Sequence, residues 1–119
     1  MEIKDVAINI EIKIKVLEKL ITALKDRAEL KAKTSAEYDK QMALAIVKIR
    51  NKAIKDYEGF PLDDLPANLL EKIAKGLCYQ ARLDMDIAEN SYKSLITAID
   101  TTQSILNGWQ SIFRHLEEV

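Results

Sequence analysis

The chain has 119 residues, 48% of them hydrophobic and 31% charged, and 18 Lys/Arg against 19 Asp/Glu give a net charge of −1. That balance excludes a protein that grips nucleic acid by bulk positive charge. With only 3 Gly and 2 Pro there are too few chain-breakers for the turns of an all-β or α/β fold.

The length suits one domain, and at 6% aromatic residues its core must be aliphatic. Charge is uneven along it: residues 1–56 carry 13 Lys/Arg and 9 Asp/Glu, residues 57–119 carry 5 and 10. A basic arm beside an acidic arm is the pattern of a charge-matched helical hairpin. One cysteine, Cys78, excludes an intrachain disulfide and suits a reducing cytosol. No apolar run approaches the ~18 residues of a membrane span, and Met1–Asp5 lacks the apolar region of a signal peptide. The expectation is a soluble protein of the host-cell cytoplasm, with no membrane partner.

In the first arm, Ile3, Ala7, Ile10, Ile14, Leu17, Ile21, Leu24 and Ala28 follow a strict 4-3 spacing. The stripe continues through Ser35, Tyr38, Met42, Ala45 and Ile49. This predicts a coiled-coil seam about 45–50 residues long, or about 70 Å. Ile8, Ile10, Ile12, Ile14 and Val16 also alternate with polar residues, as a β-strand would. Because the heptad crosses that stretch without a phase break or turn residue, helix is the expectation. The alternation then makes the helix apolar on two sides, which asks for two neighbours.

The arm is expected to stop at Gly59 and Pro61. Asp63 or Asp64 is placed to cap the next helix, with Pro66 in its first turn. A short helix over Pro66–Lys75 is then ended or kinked by Gly76, and Phe60, Leu62 and Leu65 plug the end of the bundle. The second arm carries an unbroken 4-3 series from Ala81 through Met85, Ala88, Tyr92, Leu95, Ile99, Thr102, Leu106, Trp109 and Phe113 to Leu116. Ile87, Ile96, Ile105 and Ile112 lie beside it.

With Tyr57 paired near Leu77, Leu116 reaches only to about Glu18. Ile3–Val16 then overhangs, and a second subunit is its natural cover. Ile3, Ile8, Ile10, Ile12, Ile14 and Leu17 are therefore the expected self-association residues of a homo-oligomer, a dimer or higher.

Catalytic and metal signals are weak. Arg82, Asp84, Asp86 and Glu89 lack the Glu-x-x-His pairs of di-metal bundles, and Arg82–Asp86 at i,i+4 fits a surface ion pair. His115 fits a solvated residue near a helix C-terminus, Cys78 a buried inert thiol, and Trp109 a core position. No phosphate loop, nucleophile motif or dinucleotide fingerprint occurs. The expectation is no enzyme activity, no cofactor and no metal.

Two surface features remain. Ser94–Ser111 holds Ser, Thr, Asn and Gln with Asp100 its only charge, so Thr97, Thr101, Ser104 and Gln110 are expected to meet a partner protein. Lys48, Arg50, Lys52 and Lys55 near the tip offer a possible phosphate contact, with nucleic acid a possible but unfavoured partner.

The chain also resembles a family of small helical proteins of tailed phages and prophages, often encoded among early recombination and replication genes. The residues carrying this are Ala36-Glu-Tyr-Asp-Lys-Gln-Met-Ala-Leu-Ala45, the Gly59-Phe-Pro61 turn, Leu69–Gly76, Asp86-Ile-Ala-Glu-Asn-Ser-Tyr-Lys93 and Ile105–Glu117. The family has no settled activity, so the resemblance implies no functional residues. It implies a non-enzymatic accessory protein that binds a phage or host protein, within recombination or replication. Inhibition of a host nuclease or defence system, and weak single-stranded DNA binding at the tip, are the alternatives. Asn107-Gly-Trp109 has some likeness to the small WXG secretion proteins, but there Trp-x-Gly lies between the helices. Here its order is reversed and it sits deep in the second arm.

The expected fold is all-α: a long antiparallel, coiled-coil-like hairpin in one domain, assembling into a helical bundle. The first arm covers about 3–57, the turn and short helix 58–76, and the second arm 77–117.

Overall fold

The computed structural model describes residues 2–118. It is an all-α helical hairpin whose order is α1 (Ile3–Arg50), β1 (Asp56–Tyr57), β2 (Phe60–Pro61), α2 (Ala67–Leu77) and α3 (Tyr79–Glu118). No Gly or Pro falls within α1, so all 48 residues of the helix run unbroken through the Ile8–Val16 alternation. Asp5 in its first turn and Lys48 and Arg50 in its last match the helix dipole.

The first arm stops at Arg50, before the expected breakers Gly59 and Pro61. Lys52 adopts φ 64, and the Ala53 amide bonds the Lys48 carbonyl at 2.9 Å while the Lys52 amide bonds Ile49 at 3.2 Å. Those two bonds form a Schellman cap, with lysine in the left-handed position that glycine usually fills. Asn51 Oδ1 also accepts from the Ala53 amide at 3.1 Å.

Beyond the cap, Asp56 pairs with Pro61 and Tyr57 with Phe60 in an antiparallel ribbon. Its turn residues Glu58 and Gly59 have φ 50 and 85, the signature of a type I′ turn. Neither Asp63 nor Asp64 caps α2: the N-cap is Pro66, without a side-chain bond, and Asp64 is held at φ 55 in the preceding turn. Gly76 does not end α2. It is helical, and a Cβ there would stand 2.5 Å from Tyr57 Oη, so its role is to let the ribbon's tyrosine lie against the helix. The interruption falls instead at Cys78 (φ −98, ψ 22). Cys78 N–H still bonds Ala74 O, and Arg82 N–H bonds Cys78 O, both at 3.0 Å, so hydrogen bonding carries through from α2 into α3.

Two compact units divide the chain, one formed by the segments up to Ala28 and from Asn90, the other by Glu29–Glu89. In the second unit, Ala45 and Ile49 of α1 pack with Leu62, Leu70, Ala74 and Cys78. Leu65 packs at the edge of that core, but Phe60, expected to plug it, is 72% exposed.

In the first unit, Arg27 Nη1 donates to the Ser91 carbonyl at 3.1 Å and fixes the register of α1 against α3. Each residue back along α1 meets one further along α3, so Val6 lies near the level of Ile112. Val6 is fully buried, which a lone helix cannot achieve; among the described residues α3 is the only other segment of that unit. The expected overhang is therefore absent. Tyr57 does lie against α2 next to Leu77, but it belongs to the ribbon and not to the outgoing arm, which ends at Arg50, so that contact does not set the register of the helices.

Candidate functional site

The seam of α1 also differs in phase from the expected one. Val6, Asn9, Ile10, Lys13, Leu17, Leu20, Ala23, Leu24 and Arg27 are the buried or half-buried positions of its first half, and Val6, Ile10, Lys13, Leu17, Leu20, Leu24 and Arg27 among them repeat at 4-3 spacing. Ile10, Leu17 and Leu24 are shared with the apolar heptad, whereas Ile3, Ala7, Ile14, Ile21 and Ala28 are exposed. Lys13 and Arg27 are half-buried at seam positions, where their aliphatic stems cover the core. Sequence periodicity followed the isoleucines; the pairing with α3 selects a strip turned to one side of them.

The six expected self-association residues consequently separate. Leu17 and Ile10 lie at or near the seam. At about 100° per residue, Ile3 and Ile14 flank it on one side, while Ile8 and Ile12 lie on the other side and toward the back. Ile12 is 51% exposed and Ile3 42%.

Thr97, Thr101 and Ser104 share a strip on the back of α3, and all three are exposed. The Thr97 hydroxyl donates to the Lys93 carbonyl at 3.1 Å, within its own helix. Gln110 is exposed too but is turned roughly 220° from Thr97, so it belongs to a different face. Beside it, Gln103 Nε2 donates to Asn107 Oδ1 at 3.0 Å.

Lys48, Arg50, Lys52 and Lys55 are exposed but do not form one basic face. Lys48 and Arg50 point about 200° apart on α1. Arg50 and Lys52 line a surface depression of about 360 Å³ together with Asp63 and Asp64. Two carboxylates in that wall offset the attraction a phosphate would feel.

Arg82 and Asp86 make the expected i,i+4 pair, Nε to Oδ2 4.0 Å, with both side chains about half exposed; such a pair contributes little. Gln80 bonds Asp84 at 3.0 Å. Among the described residues no group of three His, Cys, Asp or Glu is placed to hold a metal, and no helix is long and apolar enough to cross a membrane. His115 is exposed in the last turn of α3, and Trp109 is half-buried. Cys78 is buried, and desolvation pushes its thiol above the ordinary 9.0.

What the surface does carry is apolar bulk. Among the described residues, 17 large hydrophobic side chains are exposed, against 10 buried hydrophobic residues. Ile12, Val16, Ile21, Ile105 and Ile112 are among those exposed, all within the first unit. No family model matches the chain, and no curated protein or solved structure matches it.

Proposed function

We propose that this chain is a non-enzymatic accessory protein that acts by binding other proteins through the apolar faces of its hairpin. The observation carrying this reading is the excess of large exposed hydrophobic side chains over buried ones. A surface of that kind is costly to leave in water and is the usual mark of an interaction site. A phage or prophage setting, within recombination or replication in the host cytoplasm, is supported by the resemblance at Ala36–Ala45, Leu69–Gly76 and Asp86–Lys93.

The test is capture from lysate of phage-infected cells with the tagged full-length chain, beside a variant carrying Ile14→Glu and Ile21→Glu, two of the exposed apolar side chains. Retention of a phage replication or recombination protein by the parent, and its loss from the variant, is the expected result. Recovery of a host nuclease instead would favour the inhibitor reading. A chain that is monomeric and retains nothing would refute protein binding.

A further inference from the structure

The hydrogen bond from Arg27 to the Ser91 carbonyl crosses the seam of the first unit and marks one of its two broad sides. On that side, Asn9, Ile12, Val16, Leu20 and Ala23 fall within a strip of α1 about 80° wide, at about 100° per residue; Ile12 and Val16 are exposed, while Asn9, Leu20 and Ala23 lie half-buried where the strip meets the edge of the seam. The same side of α3 presents Ser94, Ala98, Ile105 and Ile112. None of these nine residues is charged. Charge returns only at the two ends of the α1 strip, as Asp5 at one and Arg27 at the other.

We propose that this side binds a second copy of the chain across a two-fold axis that passes at the level of Val16, with the two α1 helices antiparallel. The inference rests on the protein-binding reading and names the partner of one face. Three features select a second copy. First, an isologous interface must be complementary to itself. Val16 lies midway between Asp5 and Arg27, so the proposed axis brings each Asp5 to the partner's Arg27, twice per dimer. Second, the Arg27–Ser91 register sets α3 residue 102 opposite Val16. That level lies between Ala98 and Ile105, so each small Ala98 faces the larger Ile105 of the other copy, and Ile12 faces Leu20.

The third feature is size. From Asp5 to Arg27 the strip runs about 33 Å, and two neighbouring helices are about 20 Å wide. The resulting ~650 Å² approaches the roughly 800 Å² per partner of a standard stable interface. The product is a four-helix bundle in which Ile12, Val16, Ile105 and Ile112, between 38% and 51% exposed in the single chain, become core.

The experiment uses the full-length chain with Cys78→Ala as background. Val16→Cys should cross-link to a covalent dimer under mild oxidation, because a residue on the axis meets itself. Ile14→Cys, on the other side of α1, should stay uncross-linked. In parallel, light scattering should give a dimer for the parent chain and a monomer for Ile12→Glu with Ile112→Glu, at unchanged helicity by circular dichroism. Asp5→Arg should weaken dimerisation at least tenfold, and the added Arg27→Asp should restore it.

A monomeric parent would overturn the proposal, leaving the capture experiment to decide on protein binding in general. A dimer that cross-links through Ile14→Cys but not Val16→Cys would overturn the choice of face. If a heterologous protein occupies this face and competes away self-association, the proposal also fails while the protein-binding reading stands.

Discussion

Replacing Gly76 by alanine separates two roles that a glycine can have near the end of a helix. If Gly76 were a helix stop, alanine would extend the helix and gain about 1 kcal/mol in propensity. The structure gives it a different task. A Cβ on Gly76 would stand 2.5 Å from Tyr57 Oη and 3.1 Å from Cζ, against 3.4–4 Å for ordinary contact. Relief therefore needs a shift approaching 1 Å in an aromatic ring whose backbone is fixed by the ribbon pairing Tyr57 with Phe60. Overpacking of this kind costs about 1–3 kcal/mol. Set against the propensity gain, the net effect is a loss of about 1 kcal/mol. Urea unfolding followed by circular dichroism should show a lower midpoint at constant slope. In a Tyr57→Ala background the obstruction is gone, and Gly76→Ala should become stabilising by about 0.5–1 kcal/mol. If alanine stabilises the parent and the Tyr57→Ala background equally, the packing role of Gly76 is wrong.

Three further outcomes follow from the same structure. Lys52→Gly should raise stability by about 0.5–1 kcal/mol in urea unfolding, because glycine occupies φ 64 without the Cβ conflict lysine bears. Leu95→Ala, at a position 2% exposed, should cost about 2–5 kcal/mol, whereas Ile87→Ala, 58% exposed, should stay within about 0.5 kcal/mol in the same assay. The raised Cys78 thiol means the fold holds its proton more tightly than the unfolded chain. Its contribution is full below the ordinary 9.0 and is lost as pH rises through the elevated value, so a stability–pH titration should fall there and Cys78→Ala should flatten it.

The hairpin itself was legible because helix type depends on a long periodic signal and on the absence of breakers. Between Ile3 and Arg50 neither Gly nor Pro competes with that signal, so even the strand-like Ile8–Val16 alternation could not override it. The ends of the elements were not legible, since their causes are backbone geometries that these side chains do not announce. Lysine at the left-handed position of a Schellman cap and glutamate at the first position of a type I′ turn both stand where Gly or Asn would have been the signal. Cys78 gives no sequence mark of an interruption, and Gly76, which looks like one, serves packing. These local misplacements had a long-range result. Moving the end of one arm and the start of the other changes the register of every pair between them, so an expected overhang became a paired segment with Val6 at its core.

The candidate surfaces show a second limit of periodicity. A helix with isoleucines at Ile3, Ile8, Ile10, Ile12, Ile14 and Ile21 has more apolar circumference than one neighbour can cover. Composition records the surplus but not which strip the neighbour takes. Here α3 takes the strip through Val6, Lys13, Leu20 and Arg27, accepting two long cationic side chains at the seam and leaving isoleucines outside it. That choice is physically intelligible because a lysine or arginine stem covers apolar surface while its head reaches water, and Arg27 further satisfies the Ser91 carbonyl. Its consequence is functional. Isoleucines displaced from the intramolecular seam remain available between chains, so the same excess that blurred the heptad phase supplies the surface through which the hairpin is proposed to act.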